Sequence, residues 1–328
     1  MGLTVSVVVI TYARPDYVRT CLEHLARLGR APLEILVVDA SPDDRTASLL
    51  REEFPAVRLL RNDLGRGTMP ESRQIGLAAA AGDVVAFIDD DAYVEPDWLD
   101  ELLAPYDDGT VVGVGGRASN GIEGEESEGL AEIGRFLPDG RLTGNFGADP
   151  GRVIDVDHLL GANMSFRRSA LEAVGGIRGN YPGTCVCEES DVSLRLTAAG
   201  GRLVFAPRAL VRHVAAPYQT GGKRFDRRYL YYLRRNHVVL LARNFGWRDP
   251  RLPRYARVVT REQSTYLWAF RSRLGPTMAD GSRRSLLRRI TSPVVLTRSV
   301  AELGGLAAGV PAAWAARRRD RAEGIATP

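Results

Sequence analysis

Three consecutive acids, Asp89-Asp90-Asp91, form the sharpest chemical feature of the sequence. They directly follow the apolar run 83–88 (DVVAFI), which is typical of a strand buried on both faces. Carboxylates this close repel one another, and a bound cation relieves that repulsion. Mg²⁺ and Mn²⁺ prefer oxygen ligands and share them with substrate phosphates. The cluster therefore predicts a divalent-metal site, with a solvated turn at the strand end as the alternative.

A second acidic cluster, Glu188-Glu189-Ser190-Asp191, precedes and opens a helix that we predict over 191–199. Transfer of a group to a hydroxyl needs a general base within hydrogen-bond reach of the nucleophile. Acids in the first turn of a helix also stabilise it by complementing the helix dipole. The residue types alone leave both catalysis and capping open for Glu188, Glu189 and Asp191.

The elements that must position these acids alternate along the chain. The pattern of apolar residues predicts strands at 3–10, 34–38, 57–60 and 83–88, and helices at 17–28, 47–54 and 72–81. Such alternation is typical of βαβ units with a parallel sheet, in an α/β fold. Ligands of these sheets bind beyond the carboxyl ends of the strands. Thr11, Asp39 and Asp89-Asp90-Asp91 all follow strands and should meet there.

The character of the chain changes after Gly113. The segment 115–151 is rich in Gly and Glu, and we expect a functional loop, a lid or disorder. A helix is predicted at 169–174, and the chain is Arg-rich and helical from about Phe225 to Arg319.

Four motifs in order resemble the inverting family 2 glycosyltransferases of the GT-A fold. They are VSVVVITYARPDYVRTCLEHL, VVDASPDD, ESRQIGLAAAAGDVVAFIDDD and EESDVSLRLTAAGG, within residues 3–215. Several motifs at compatible spacing are more specific than any one alone. The resemblance implies a Rossmann-like mixed, mainly parallel sheet flanked by helices. It also implies inverting transfer of a sugar from a nucleoside-diphosphate sugar, of UDP or dTDP type, to a hydroxyl or amine.

The resemblance implies roles for individual residues of the donor site. The residues expected at the nucleotide are Thr11, Tyr12, Arg14, Asp39, Arg73, Asp89 and Asp90. Asp39 would accept the imide N–H of a pyrimidine, although Ala40 stands where the family usually has a second acid. Asp91 and His213, together with Asp89, would hold Mn²⁺ or Mg²⁺. For Arg73 the alternative is a helix-surface arginine.

On the acceptor side, the resemblance favours Glu189 as the general base, at a position where the family usually has Asp. Glu188 and Asp191 remain the alternatives. The segment 160–168 (LGANMSFRR) resembles an acceptor-binding segment, so Gly161 and Asn163 are expected to contact the acceptor. A plain strand and turn is the alternative for this segment. We expect the other histidines, His24, His158 and His237, to be structural.

The chain should divide into three parts: a donor-binding half over 1–115, an acceptor-binding and catalytic half over 116–218, and a basic helical extension over 219–328. Residues 223–328 contain 23 Lys and Arg against 7 Asp and Glu, a net charge of +16, whereas the rest of the chain carries −12. We consider three explanations for this basic tail: solvated arginines on a packed helical extension, peripheral contact with an anionic membrane, or an oligomer contact.

Several classes of protein fit the sequence poorly. No Gly-x-Gly-x-x-Gly follows the first strand, which argues against a dinucleotide-dependent oxidoreductase, and the phosphate loop of a nucleotidyltransferase is missing too. The tail lacks a nucleic-acid-binding motif. Three cysteines, no signal peptide and no long apolar run predict a cytoplasmic enzyme, free or peripheral on the inner face of the membrane. A polysaccharide, a lipid carrier and a small natural product remain open as acceptors, and a degenerate, non-catalytic relative is the alternative function.

Overall fold

Two compact units make up the protein. The computed structural model describes the backbone of residues 2–183, 187–214, 226–274 and 283–325, with their side chains except those of 269–274 and 283–295. The first unit comprises Met1–Leu137 and Leu142–Thr220, and the second comprises Pro138–Arg141 and Gly221–Pro328. Among the helices of the described ranges, none combines the length and hydrophobicity that crossing a bilayer requires.

The described part of the first unit contains one mixed sheet. Its strands are β1 (Val5–Thr11), β2 (Glu34–Asp39), β3 (Arg58–Arg61), β4 (Val84–Asp89), β5 (Ala92–Val94), β6 (Val111–Ser119), β7 (Ile154–Asp155), β8 (Asn163–Arg167) and β9 (Arg202–His213). They lie in the order β3-β2-β1-β4-β8-β6-β9-β5, with β7 beside β9. Strands β3, β2, β1 and β4 are parallel, β8 is antiparallel to β4 and β6, and β5 is antiparallel to β9.

Helices cover both faces of this sheet, which explains why β1 is apolar at every position from Val7 to Ile10. The helices are α1 (Pro15–Leu25), α2 (Arg45–Glu53), α3 (Met69–Ala79), α4 (Trp98–Leu103), α5 (Arg168–Ala173) and α6 (Glu188–Ala198). Val7 and Val9 belong to the core that includes Leu22 of α1, whereas Val8 belongs to the core that includes Leu77 of α3. Alternate residues of a strand face opposite sides, so both sets must be apolar. The predicted α/β class and mixed sheet are confirmed.

The prediction of a loop over 115–151 was wrong at its start. Strand β6 continues to Ser119, so the proposed boundary at 115/116 lies inside a strand. Its glycines reflect packing, because a Cβ on Gly113 would lie 2.6 Å from Leu203 Cδ2 and 2.8 Å from Phe166 Cδ1. Only the rest of the segment is irregular, with 3-10 turns at Glu125–Ser127 and Leu130–Glu132.

The second unit is helical, as predicted. It contains α7 (Arg227–Phe245), α8 (Arg251–Leu274) and α9 (Arg283–Ala322). Inside it, the Arg243 guanidinium pairs with Asp320 at 2.5 Å, and both side chains are buried. The His237 ring stacks on Tyr255 with centroids 4.0 Å apart, which gives this histidine the structural role we expected.

Candidate active site

The sheet brings polar residues from distant parts of the chain to one edge. Parallel pairing places Thr11 beside Asp39 on the neighbouring strand, and Ile10 beside Asp89. The antiparallel pairing of β5 and β9 places His213 beside Ala92, immediately after the acid cluster. The predicted convergence of strand ends is therefore present, and the end of β9 joins it.

Asp89, Asp91 and His213 form a cluster that fits a divalent cation. One ligand atom of each residue lies within 4.8 Å of the others. His213 Nε2 is 3.4 Å from Asp91 Oδ1, and both side chains are largely buried. Atoms that share one cation lie at most roughly 4–5 Å apart, twice the metal–ligand distance. Carboxylate and imidazole are both common ligands of divalent metals, so this donor set fits a divalent cation.

Asp90 has a different environment from its two neighbours. Its carboxylate is fully buried and accepts hydrogen bonds from Thr11 Oγ1 at 2.7 Å and from Arg14 Nε at 3.1 Å. The Arg14 guanidinium also pairs with the other carboxylate oxygen. Burial raises the pKa of Asp90 to about 7, against the opposing effect of Arg14. The structure thus places Asp90 inside the protein, holding the turn after β1, rather than on a nucleotide-facing surface.

Asp39 is also fully buried and is fixed by its neighbours. Ser41 donates to Oδ1 through its backbone N–H at 2.8 Å and through its hydroxyl, and Arg61 Nη1 lies 2.7 Å from Oδ2. Ser41 Oγ in turn accepts from the Ala13 N–H at 2.7 Å, which ties the turns after β1 and β2 together. Arg61 was not among the residues selected from the sequence. Its position at the end of β3, at this same edge of the sheet, could have indicated that it belongs to the candidate site.

Arg73 is a buried bridge, not a surface residue. It is 1% exposed, its Nη2 donates to Asp89 Oδ1 at 2.9 Å and to Gly161 O at 3.2 Å, and its Nη1 pairs with Glu188. A Cβ on Gly161 would lie 2.9 Å from that Nη2. Gly161 does permit a close approach, but the group that approaches is Arg73. The arginine joins the cluster of Asp89, Asp91 and His213, through Asp89, to the start of α6.

The acids at the start of α6 differ in their surroundings. Asp191 is fully buried and accepts from Arg178 at 2.6 and 2.9 Å, from the Tyr181 hydroxyl at 2.8 Å and from Arg195 Nε at 3.0 Å. These partners of Asp191 were not predicted from the sequence, although Arg195 stands four residues after Asp191, a spacing that favours helical ion pairs.

Glu188 and Glu189 are neighbours with opposite exposure. Glu188 is buried against Arg73, and burial, reinforced by the adjacent Glu189, raises its pKa even though Arg73 opposes the shift. Glu189 is only partly buried. Of the three candidate bases, Glu189 is therefore the one that remains accessible.

Asn163 was predicted to bind an acceptor, but its side chain lies in the core. It is fully buried in β8, and its Oδ1 accepts from Trp98 Nε1 at 2.9 Å. Its Nδ2 donates to Arg117 O at 3.0 Å and to Ala209 O at 2.9 Å. Because both amide protons and the oxygen serve these contacts, the strand alternative describes Asn163 better.

His158 and the cysteines take structural positions. His158 Nε2 lies 2.8 Å from Thr143 O and Nδ1 lies 3.2 Å from Ser190 Oγ, and burial lowers the pKa of the ring. Cys21 and Cys187 are buried free thiols. The third cysteine, Cys185, lies outside the described residues.

Comparison with known proteins gives the same fold. The mannosyltransferase PcManGT from Pyrobaculum calidifontis, solved with GDP-Man and Mn²⁺, has a TM-score of 0.54 at 18% identity, covering 98% of this chain and 88% of that one. GalNAc-T7, solved with UDP, GalNAc and Mn²⁺, has a TM-score of 0.53 at 18% identity, covering 88% and 54%. These likenesses show a shared GT-A fold.

Sequence relatives extend the comparison to the family. The glucosyl-dolichyl phosphate glucuronosyltransferase of Haloferax volcanii is 31% identical over 230 residues, 66% of this chain and 71% of its own length. The pre-mycofactocin glycosyltransferase of Mycobacterium tuberculosis is 34% identical over 185 residues, 55% of this chain but only 37% of its own length. The model of glycosyl transferase family 2 matches residues 6–175, more than half of the chain. The chain is thus a glycosyltransferase and belongs to family 2.

Proposed function

We propose that this enzyme transfers a sugar from a UDP- or dTDP-type donor to an acceptor hydroxyl or amine, with inversion at the anomeric carbon. One observation carries the proposal: Arg73 bridges Asp89, in the cluster that fits a cation, and Glu188, the buried neighbour of the partly buried Glu189. Displacement by an acceptor needs charge stabilisation at the leaving group and a base at the nucleophile. The Arg73 bridge supports the proposal that charge stabilisation and base catalysis belong to one site.

The turns after β1 and β2 would bind the donor nucleotide. Asp39 is held by Ser41 and Arg61, yet each carboxylate oxygen can accept more than one hydrogen bond. Asp39 is fully buried in the structure, so its Oδ2 would have to become accessible before it accepts the ring N–H of a pyrimidine, with Arg61 keeping it oriented. Tyr12 and Arg14 are partly exposed beside it, in the turn that Asp90 anchors, and would face the nucleoside and diphosphate.

Asp89, Asp91 and His213 would hold the divalent cation, which we propose to be Mn²⁺ or Mg²⁺. When bound, such an ion supplies positive charge that offsets the charge on the departing diphosphate. PcManGT and GalNAc-T7 were both solved with Mn²⁺, which supports this choice of ion. Arg73, buried against Asp89, keeps that carboxylate oriented and adds a fixed positive charge.

Glu189 would act as the general base. Its carboxylate takes the acceptor proton as the nucleophile attacks the anomeric carbon from the face opposite the diphosphate, and a single displacement of this kind inverts the centre. Asp191 is engaged by two arginines and a tyrosine, and Glu188 is buried against Arg73, so neither presents an accessible carboxylate. Both would instead position the start of α6.

We retain 1–115 as the donor half, 116–218 as the acceptor half and 219–328 as the extension. The acceptor surface no longer includes Asn163, since its amide is used in the core. The names of the two sequence relatives indicate a lipid-linked sugar and a pre-mycofactocin as acceptors, which supports a lipid carrier or a small natural product. Buried free thiols at Cys21 and Cys187 are compatible with a reducing, cytoplasmic location.

A thermal-shift panel tests the donor class. The purified chain is heated with UDP, dTDP, GDP or NAD, each with and without Mn²⁺. We expect a pyrimidine diphosphate to raise the melting temperature only when Mn²⁺ is present, because a ligand that binds the folded state stabilises it. Stabilisation by GDP alone would indicate a guanine nucleotide in place of a pyrimidine nucleotide. No shift of the melting temperature with any nucleotide would favour a degenerate protein.

A further inference from the structure

The outward face of α9 carries large apolar side chains where a solvated helix usually carries polar ones. Leu296, Val300, Val310 and Trp314 are 40%, 63%, 46% and 65% exposed. The last three follow Leu296 by 4, 14 and 18 residues, which are close to whole numbers of helical turns. These four side chains therefore form one line along the helix, the α9 apolar stripe.

The inward face of α9 explains why these side chains point out. Gly305 and Gly309 pack against α7: a Cβ on Gly305 would collide with the Tyr231 carbonyl, and one on Gly309 would lie 2.5 Å from Val238 Cβ. Glu302 is buried on the same side, 2.7 Å from Arg234 Nη2. Close packing and a buried ion pair thus occupy the inner face, and the large apolar side chains lie on the outer face. A surface helix usually has the opposite arrangement, with its apolar side chains on the inner face.

The sequence of this part of α9 is itself uncharged. Residues 303–316 (LGGLAAGVPAAWAA) contain no charged or hydrogen-bonding side chain apart from the Trp314 indole. An apolar stretch of this length is typical of a core helix or of a segment that lies in a membrane interface. Val310 and Trp314 remain exposed in the described protein, so the core explanation does not account for this half of the helix.

Positive charge and tryptophan lie at the end of the stripe. Arg318, Arg319 and Arg321 are exposed one to two turns after Trp314, and the Trp314 ring lies 6.1 Å from that of Trp247. Tryptophan and arginine favour the headgroup level of a bilayer, where the apolar part is buried and the polar tip stays hydrated. A second copy of the chain packed in parallel on this stripe would instead bring the same arginines together, at a cost in repulsion, whereas anionic lipid phosphates offer them a counter-charge.

We propose that the α9 apolar stripe docks on an anionic lipid bilayer. The helix lies in the headgroup region, its apolar side chains enter the acyl boundary, and Arg318, Arg319 and Arg321 contact lipid phosphates. The net charge of +16 over residues 223–328 attracts the chain to such a surface. This contact does not depend on the proposed donor or base.

Flotation of the full-length chain with vesicles tests the proposal. Phosphatidylcholine vesicles with about a third phosphatidylglycerol should carry the protein upward, and pure phosphatidylcholine vesicles should carry much less, because the arginines need anionic lipid. Val310→Glu should lower the partition coefficient on the order of tenfold by placing a charge in the stripe. Val153→Glu is the matched control, since this valine in the first unit is also 46% exposed, and it should float like the wild type.

Further measurements separate the possible outcomes. Circular dichroism and the melting temperature of Val310→Glu should match the wild type, so that loss of flotation reports the contact and not unfolding. The proposal would be overturned if the wild type floated as well with neutral vesicles as with anionic ones, or if Val310→Glu floated as well as Val153→Glu. A wild-type dimer that Val310→Glu converts to a monomer, without flotation of either protein, would assign the stripe to a second copy instead.

Discussion

The acids at 89–91 and those at 188–191 look alike in sequence but have different partners in the structure. Each group contains one fully buried carboxylate fixed by arginine: Asp90 by Arg14, and Asp191 by Arg178 and Arg195. Each also contains an acid to which we propose a chemical role, Asp91 in the first and Glu189 in the second. Asp91 is buried too, and its ion pair with Arg14 is 3.5 Å long, so burial alone does not separate an anchoring acid from one proposed to act in chemistry.

The two groups differ in what the protein supplies beside them. Next to Asp91 the fold places another potential ligand, His213, whereas around the second group it places three arginines, among them Arg73. Arginines lie beside both groups, since Arg14 pairs with Asp90 and with Asp91, at 3.5 Å, and Arg73 pairs with Asp89. What distinguishes the first group is that two of its acids also form, with His213, a donor set that fits a cation. This contrast underlies the assignment of metal binding to one group and base catalysis to the other.

The largest expected effect is that of Glu189→Gln, which removes the accessible acid of the second group. Transfer should fall by about 10²–10⁴-fold, because the acceptor loses its base. Binding of UDP with Mn²⁺ should stay within error of the wild type. Transfer is measured as donor turnover with each candidate acceptor. Glu189→Asp should recover part of the rate, and unchanged turnover in Glu189→Gln would place the base elsewhere.

Asp191→Asn tests the anchoring member of the same group. Removing one partner of a buried ion-pair cluster leaves Arg178 and Arg195 without their carboxylate, and we expect a loss of about 3–5 kcal/mol in the free energy of unfolding. Urea denaturation measures this loss, with the exposed ion-pair variant Glu53→Gln as a control expected to change stability by less than about 1 kcal/mol. A fully stable but inactive Asp191→Asn protein would make Asp191 the base.

Asn163→Ala sharpens the comparison between core and site. The Trp98 indole N–H and two backbone carbonyls would lose their partner, so we expect a loss of about 1–3 kcal/mol in the free energy of unfolding. Turnover per folded molecule should be retained. Normal stability together with a raised KM for the acceptor would restore the acceptor-binding role that the sequence predicted.

The smallest expected effect is on how the free energy of unfolding depends on pH. Burial lowers the pKa of His158, so the folded protein takes up this proton at a lower pH than the unfolded chain, in which the ring protonates near the ordinary value of 6.5. Its contribution to stability is complete above that pH and is lost as the pH falls below it, with a slope of at most about 1.4 kcal/mol per pH unit. His158→Gln should flatten this slope in urea titrations between pH 7 and 5, and an unchanged slope would contradict the assignment.

Much of the fold could be predicted because the strands and helices carry strong local patterns. The apolar run of β1 and the acids after β4 identified both the sheet and the edge where the site lies. Glycine misled the prediction at β6, where Gly113 is required by packing against Phe166 and not by a turn. Local patterns do not show which long-range partner fills the space beside a residue.

The partners of the acids could not be predicted for the same reason. In the sequence, Arg73 is one arginine on a predicted amphipathic helix. Only the folded chain brings it to Glu188, which is 115 residues away. Asn163 looked like a sugar-binding amide until its three contacts in the core were known. The predicted meeting of the candidate residues at one edge of the sheet is present, whereas their individual partners could be seen only in the structure.

The most direct test of the account is calorimetric titration of UDP into the wild type and into Asp91→Asn, each with and without Mn²⁺. Asp100→Asn is the control, since this exposed acid pairs only at long range with Arg30, at 3.7 Å, in the first unit. We expect Mn²⁺ to tighten UDP binding by at least about tenfold in the wild type and the control, and to have no effect in Asp91→Asn. Binding that is independent of Mn²⁺, or equal enhancement in Asp91→Asn, would contradict the metal site on which the proposed reaction depends.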